Sequence, residues 1–440
     1  MKYLFPSSEV DFKNFATEIQ NYSTIIHHHE NMVNSIKSYL KNENIEKTIN
    51  YIETLGSFYK NFSEFYLHLL SLDKILINDL KKFISKGTNT LLSLSIWGED
   101  YARKFCLLTL KSVKDDLNEI NNNYNVQMII FVDQSAKKIL ENDSDFIELN
   151  KSNLVKIIMI PSDVFQTAYY LERIAFTRYY VFGFIQNICW RYCAKYEINL
   201  SLLTPDNFYS KNFFKNLIDK INDKEDLYAV FSNSSLKVQL KDKDKINDFV
   251  SSLSSMNLDE LFDFYKNNIH HTNFDFFISE EKKIENNSPQ YILNSNEAFF
   301  VYSIHAHPYL LSKNYLKKYP NYFTFLPIDE SFPLEDDNDI NFFEKMLELE
   351  GGLTLDISSF EDTKKKLVSY SEDSIFENFS KFKNNKLSMW FLKNPLKIYH
   401  NKNPNLTFNC NNKSGSPAQV INPAKSDIVL KNFQKLIEKI

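Results

Sequence analysis

QTAYYLERIAFTRYYVFGFIQNICWRYCAKYEINLSLLTPDNFYS, residues 166–210, decides how the chain of 440 residues is read. Leu171, Ile174, Ala175, Phe182, Ile185, Cys189, Tyr192 and Tyr196 recur at helical spacing, which predicts one long amphipathic helix with that stripe in the core. The helix feeds a short apolar strand, 198–203, that stops at Thr204-Pro205-Asp206-Asn207. Proline removes a ladder donor, so the chain turns there and presents Asp206 at the carboxyl end of the strand. In an open α/β sheet that edge is where ligands sit.

Three apolar runs precede this unit: LLSLSI (91–96), VQMIIFV (126–132) and LVKIIMI (154–160), each followed by a helical stretch. Continuous apolar runs, rather than alternation, predict strands covered on both faces and paired in parallel. Four strand–helix units in succession predict a doubly wound α/β layer, Rossmann-like in its winding. Upstream, Phe15, Ile19, Tyr22 and Ile26, then Ile45, Ile49, Ile52 and Leu55, space like helix faces. The first 88 residues therefore predict a helical N-terminal lobe, a candidate surface for a protein partner. Within it, His27-His28-His29 cannot converge on one ion from a helix, because helical neighbours point about 100° apart. Downstream, strands are expected at 227–232, 236–240, 274–279 and 298–304, with helices at 246–253, at 258–267 and from the acidic loop 329–339 to Glu350, before GGLTLDI (351–357). Residues 359–440 are charged and Asn-rich and read as an irregular, partly helical or disordered C-terminal region. The expected division is 1–88, 89–358 and 359–440.

Composition narrows the function. A formal net charge of -5 argues against nucleic-acid binding through bulk charge. The longest apolar stretch, 174–190, is interrupted by Arg178, Gln186 and Asn187, so no membrane span is expected. The start, MKYLFPSSEVDF, lacks the pattern of a secretory signal, and Cys106, Cys189, Cys193 and Cys410 are too few for a disulfide framework. A cytoplasmic setting is the expectation. The seven glycines form no GxGxxG, P-loop or nucleophile elbow, so a phosphate would be held without a glycine cradle.

Asp133, Asp163 and Asp206 follow three of the four predicted strands and would share one sheet edge. They are candidates for bonding a base or ribose hydroxyl, or for holding a divalent ion beside a diphosphate. The alternative is that each caps the helix after it. His305 and His307, two apart at a strand end, point to one face and suit ligation or acid/base work. A metal hydrolase built on that pair would need further ligands, and no HExxH follows. Arg173, near the start of the long helix, is a candidate phosphate partner. Glu350, before Gly351-Gly352, is a candidate base for an acceptor hydroxyl.

The order of these elements resembles that of GT-A type glycosyltransferases. LLSLSIWGEDYARKFCLLTLKSV stands where that family has a strand and loop touching the nucleotide, and MIIFVDQ where it has an acidic strand end near the base. LLTPDNFYSKNFFKNLIDKI stands where it has an Asp-x-Asp motif, and supplies one carboxylate instead of two. The match covers residues 90–222, about a third of the chain. The resemblance implies a nucleotide-sugar donor and a glycan or protein acceptor, as in polysaccharide biosynthesis. It implies donor-site roles for Trp97, Asp133, Asp163 and Arg173, and catalytic ones for Asp206, His307 and Glu350. It also implies a weakly held Mn or Mg ion at Asp206 and His307, or none. With the motif degenerate, a non-catalytic scaffold of the same fold is the other reading.

Overall fold

The computed structural model describes residues between 72 and 399, with breaks of which the longest are 166–176, 271–289, 329–342 and 359–385, and also residue 435. The N-terminal residues 1–71, with the histidine tract, lie outside the described residues.

The four predicted strands form as β1 (Thr90–Ile96), β2 (Val126–Val132), β3 (Val155–Met159) and β4 (Asn199–Leu202). They lie parallel in the order β3-β2-β1-β4. Three more strands extend the sheet beyond β4 to seven: β10 (Tyr309–Leu311), then β6 (Ala229–Phe231), then β11 (Met346–Glu348). β10 alone runs against its neighbours β4 and β6, whereas β11, a strand where the sequence predicts a helix up to Glu350, runs parallel to β6.

Successive residues along a strand face opposite sides, and each side here has its own core. Leu92, Leu94 and Ile96 join Met128, Ile130 and Val132 under one layer of helices; Leu91, Ile129, Phe131, Leu200 and Leu202 face the other. The first layer holds α1 (Glu99–Lys104), a π-helical segment (Phe105–Leu110), α2 (Lys111–Tyr124), α3 (Gln134–Leu140), α4 (Ser144–Lys151) and α6 (Phe213–Asp223). The opposite layer is built on α5 (Thr177–Tyr196) and α9 (Lys313–Lys318). The chain is therefore mixed α/β with helices on both faces of the sheet.

The described part of the long helix is not one-sided. Val181, Phe184, Ile188, Trp190 and Cys193 are buried off the expected stripe, whereas Tyr196 on that stripe is exposed. The reason is enclosure: residues 72–84 and α9 cover what would have been its wet face. Leu72, Leu76 and Leu80 share the core of α5, and Asp73 pairs with Arg191. The α/β body thus begins at least as early as Leu72. At the other end α10 (Lys386–Lys393) places Phe391 in the same core, and β13 (Leu396–Tyr399) pairs with β9 (Ala298–Ser303). Part of the expected C-terminal region is thus ordered against the body.

A second, smaller sheet has the order β5-β12-β7, formed by β5 (Asn207–Tyr209), β12 (Thr354–Ser358) and β7 (Leu236–Gln239). With α7 (Ile246–Ser255) and α8 (Leu258–Asn267) it encloses a third core, to which Phe208, Leu236 and Leu355 contribute. The π-helical segment serves two cores: Phe105, Cys106 and Leu110 enter that of the main sheet, and Leu108 that of the small one. Widening the helix by one residue per turn re-aims its side chains, a frequent feature near functional sites.

Candidate functional site

β1 and β4 are neighbours, but the chain leaves them in opposite directions across the sheet, toward β2 on one side and, by way of β5, toward β6 on the other. In open α/β sheets ligands bind outside the carboxyl ends of the strands at such a reversal. Three segments reach the rim there: Trp97-Gly98 after β1, Asp133 after β2, and Thr204-Pro205-Asp206 after β4. Asp133 and Asp206 therefore share one edge, as parallel pairing requires.

Gly98 takes φ 77°, a conformation that favours glycine, and its N–H donates to Asp133 Oδ2 at 3.2 Å. Asp133 also accepts from Ala136 N at 2.8 Å and from the Ser135 hydroxyl at 2.9 and 3.0 Å. Its carboxylate thus caps α3 and clamps the loop after β1 to that helix. A nucleotide contact by Asp133 would have to be made beside these bonds. Asp133→Ala is expected to cost about 1–2 kcal/mol in urea unfolding, and Asp133→Asn less, because the amide oxygen still caps. Trp97 is half-buried, its ring centroid 4.2 Å from that of Phe182 and 5.2 Å from that of Phe165, so the rim carries an aromatic cluster beside β1.

The Asp206 turn is held from several sides. Asn207 donates from Nδ2 to the Thr204 hydroxyl, and Thr109 of the π-helical segment donates to the Asn207 carbonyl at 2.8 Å. Ser210 N donates to Leu353 O at 2.9 Å, and Leu353 N to the Ser210 hydroxyl at 3.0 Å. Pro205 is buried and Asp206 half-buried. Among the described residues no hydrogen bond or ion pair engages the Asp206 carboxylate. The helix after the turn, α6, is capped from elsewhere: Asp116 of α2 accepts from Asn212 N at 2.8 Å and Phe214 N at 3.2 Å. Two aspartates at one rim therefore differ: Asp133 holds structure together, whereas Asp206 is held in place without a bond from its own carboxylate among the described residues.

β10 opens at Tyr309, opposite Leu202, and the carbonyl of Pro308 accepts from Ser232 N at 3.0 Å. His305 and His307, just before it, lie outside the described residues, as do Asp163, Arg173 and Glu350. Among the described residues no three His, Cys, Asp or Glu side chains group closely enough to hold a metal. Cys189 and Cys193 are both buried in the core; burial pushes the Cys189 thiol up to about 12.

Sequence reasoning passed over Asp356. It lies in β12 directly across from Asn207, and on its other side from Lys237, whose Nζ is 3.9 Å from Asp356 Oδ2. A signal was present: aspartate is disfavoured inside a strand, and TLDIS places one amid alternating apolar residues. No protein-family model matches the chain, and no curated protein matches it.

Proposed function

We propose that the protein is a glycosyltransferase that moves a sugar from a nucleotide-sugar donor to a glycan or protein acceptor, with a GT-A-like domain as its catalytic body. The observation that carries this reading is the rim of the switch point, where Asp206 sits on a braced turn, its carboxylate without a hydrogen bond or ion pair among the described residues. Element order is in keeping with it: a strand and loop, a strand with an acidic end, a long helix, then a strand followed by the Asp206 turn.

In the proposed reaction the bond from the anomeric carbon to the diphosphate oxygen breaks, and its electron pair leaves with the diphosphate. The acceptor oxygen bonds to that carbon, and its proton passes to a base, for which the sequence offers His307 and Glu350. Preorganised positive charge at the leaving diphosphate lowers the barrier, and in a water-excluded crevice such electrostatics dominate catalysis. Asp206 anchors the donor through a ligand hydroxyl; were a Mn or Mg ion bound, Asp206 and His307 would be its ligands and it would supply positive charge for the departing diphosphate.

The single carboxylate at the turn favours a second reading, a scaffold that keeps the fold without the chemistry. Thermal unfolding with UDP, GDP, CDP and CMP, each with and without Mn²⁺, separates the two. A ligand at a hundredfold excess over its dissociation constant adds about 2.7 kcal/mol, a readily measured upward shift. A shift with a nucleotide is expected; a flat panel supports the scaffold.

A further inference from the structure

The small sheet carries a row that no single stretch of sequence reveals. Asn207, Asp356 and Lys237 are register partners across β5, β12 and β7, so their side chains project from one face. The alternate row, Phe208, Leu355 and Leu236, is wholly apolar and fills the third core. The next row on the polar face, Tyr209 with Thr354, is buried, and Tyr209 packs into the core of the main sheet. That face is therefore tucked against the main body at Tyr209 and emerges at Asp356 and Lys237, whose side chains are 29% and 25% exposed. Asn207 directly follows Asp206, so the row begins at the candidate site. Lys237 stands two strand spacings away, about 10 Å between backbones, within reach of a flexible four-carbon stem.

We propose that Lys237 is a cation that receives the distal phosphate of a nucleoside diphosphate anchored at the Asp206 turn, with Asp356 holding the lysine on the row. The assignment rests on the donor-site reading given above and specifies where its positive charge comes from. A point-charge ammonium suits a phosphate, and Asp356 beside it keeps the row near neutral until the ligand arrives. The ligand class is a nucleotide with at least two phosphates, because a monophosphate anchored at the turn ends short of the lysine.

Calorimetric titration of the full chain tests this, using the nucleoside diphosphate that gives the largest thermal shift and its monophosphate. Lys237→Met is expected to weaken the diphosphate about tenfold or more and the monophosphate less than about threefold. Lys237→Arg keeps the charge and is expected to stay within about threefold of the parent for both. Should K237M fail to fold, Lys237→Gln reports the same ratio. Equal losses for the two nucleotides, or no loss, overturn the role of Lys237 while the donor site stands. Binding of neither nucleotide by the unaltered chain overturns both.

Discussion

Asp206→Asn is expected to abolish sugar transfer, a fall of at least about 100-fold, while leaving the unfolding transition where it was. Both halves follow from how the turn is built. Its backbone is fixed by the Thr109 hydroxyl on the Asn207 carbonyl, by Asn207 on Thr204, and by buried Pro205, none of which uses the Asp206 carboxylate. The cap of the following helix comes from Asp116, so Asp206 is not the capping residue that the sequence alternative allowed. Asparagine keeps the size and one acceptor oxygen but removes the charge. A half-buried carboxylate without a structural partner among the described residues has nothing to lose in folding. A loss of stability as large as that of Asp133→Ala would show that the carboxylate holds structure after all. A transfer rate unchanged from the parent would remove Asp206 from the chemistry and the candidate site with it.

The central sheet was legible because its signals are local. Each of the runs 91–96, 126–132 and 154–160 is apolar enough to be covered on both faces, and each is followed by a helical pattern. β10 was not legible. Three residues, Tyr309–Leu311, carry no period, yet they slot between β4 and β6 through pairing to segments some 80 to 110 positions earlier. The one-sided stripe on the long helix failed for a similar reason, since what covers the other face comes from residues 72–84 and 313–318. At the candidate site, proline marks the Asp206 turn in the sequence, whereas Asp356 and Lys237 align with Asn207 only through strand register. Asp133 shows the limit of residue type as a guide: the same Asp after the same kind of strand turned out to cap a helix and clamp Gly98.

Asp116 sets the second large effect, a dependence of stability on pH. Asp116 is 4% exposed, and burial outweighs the two N–H bonds from Asn212 and Phe214, so its pKa is raised from 3.8 to about 6. An acid that binds its proton more tightly when folded gives a native state richer in protons between those two values, and stability there falls as pH rises. The contribution is fully present below about pH 4, drains away through pH 6 and is flat above it, a span of at most about 3 kcal/mol at 1.36 kcal/mol per unit. Asp116→Asn cannot ionise, so urea unfolding of the variant should lack this component. The gap between parent and variant should then move in the variant's favour as pH is raised from 4.5 to about 7. A gap constant over that range would mean that Asp116 ionises at its ordinary pKa and that water reaches it.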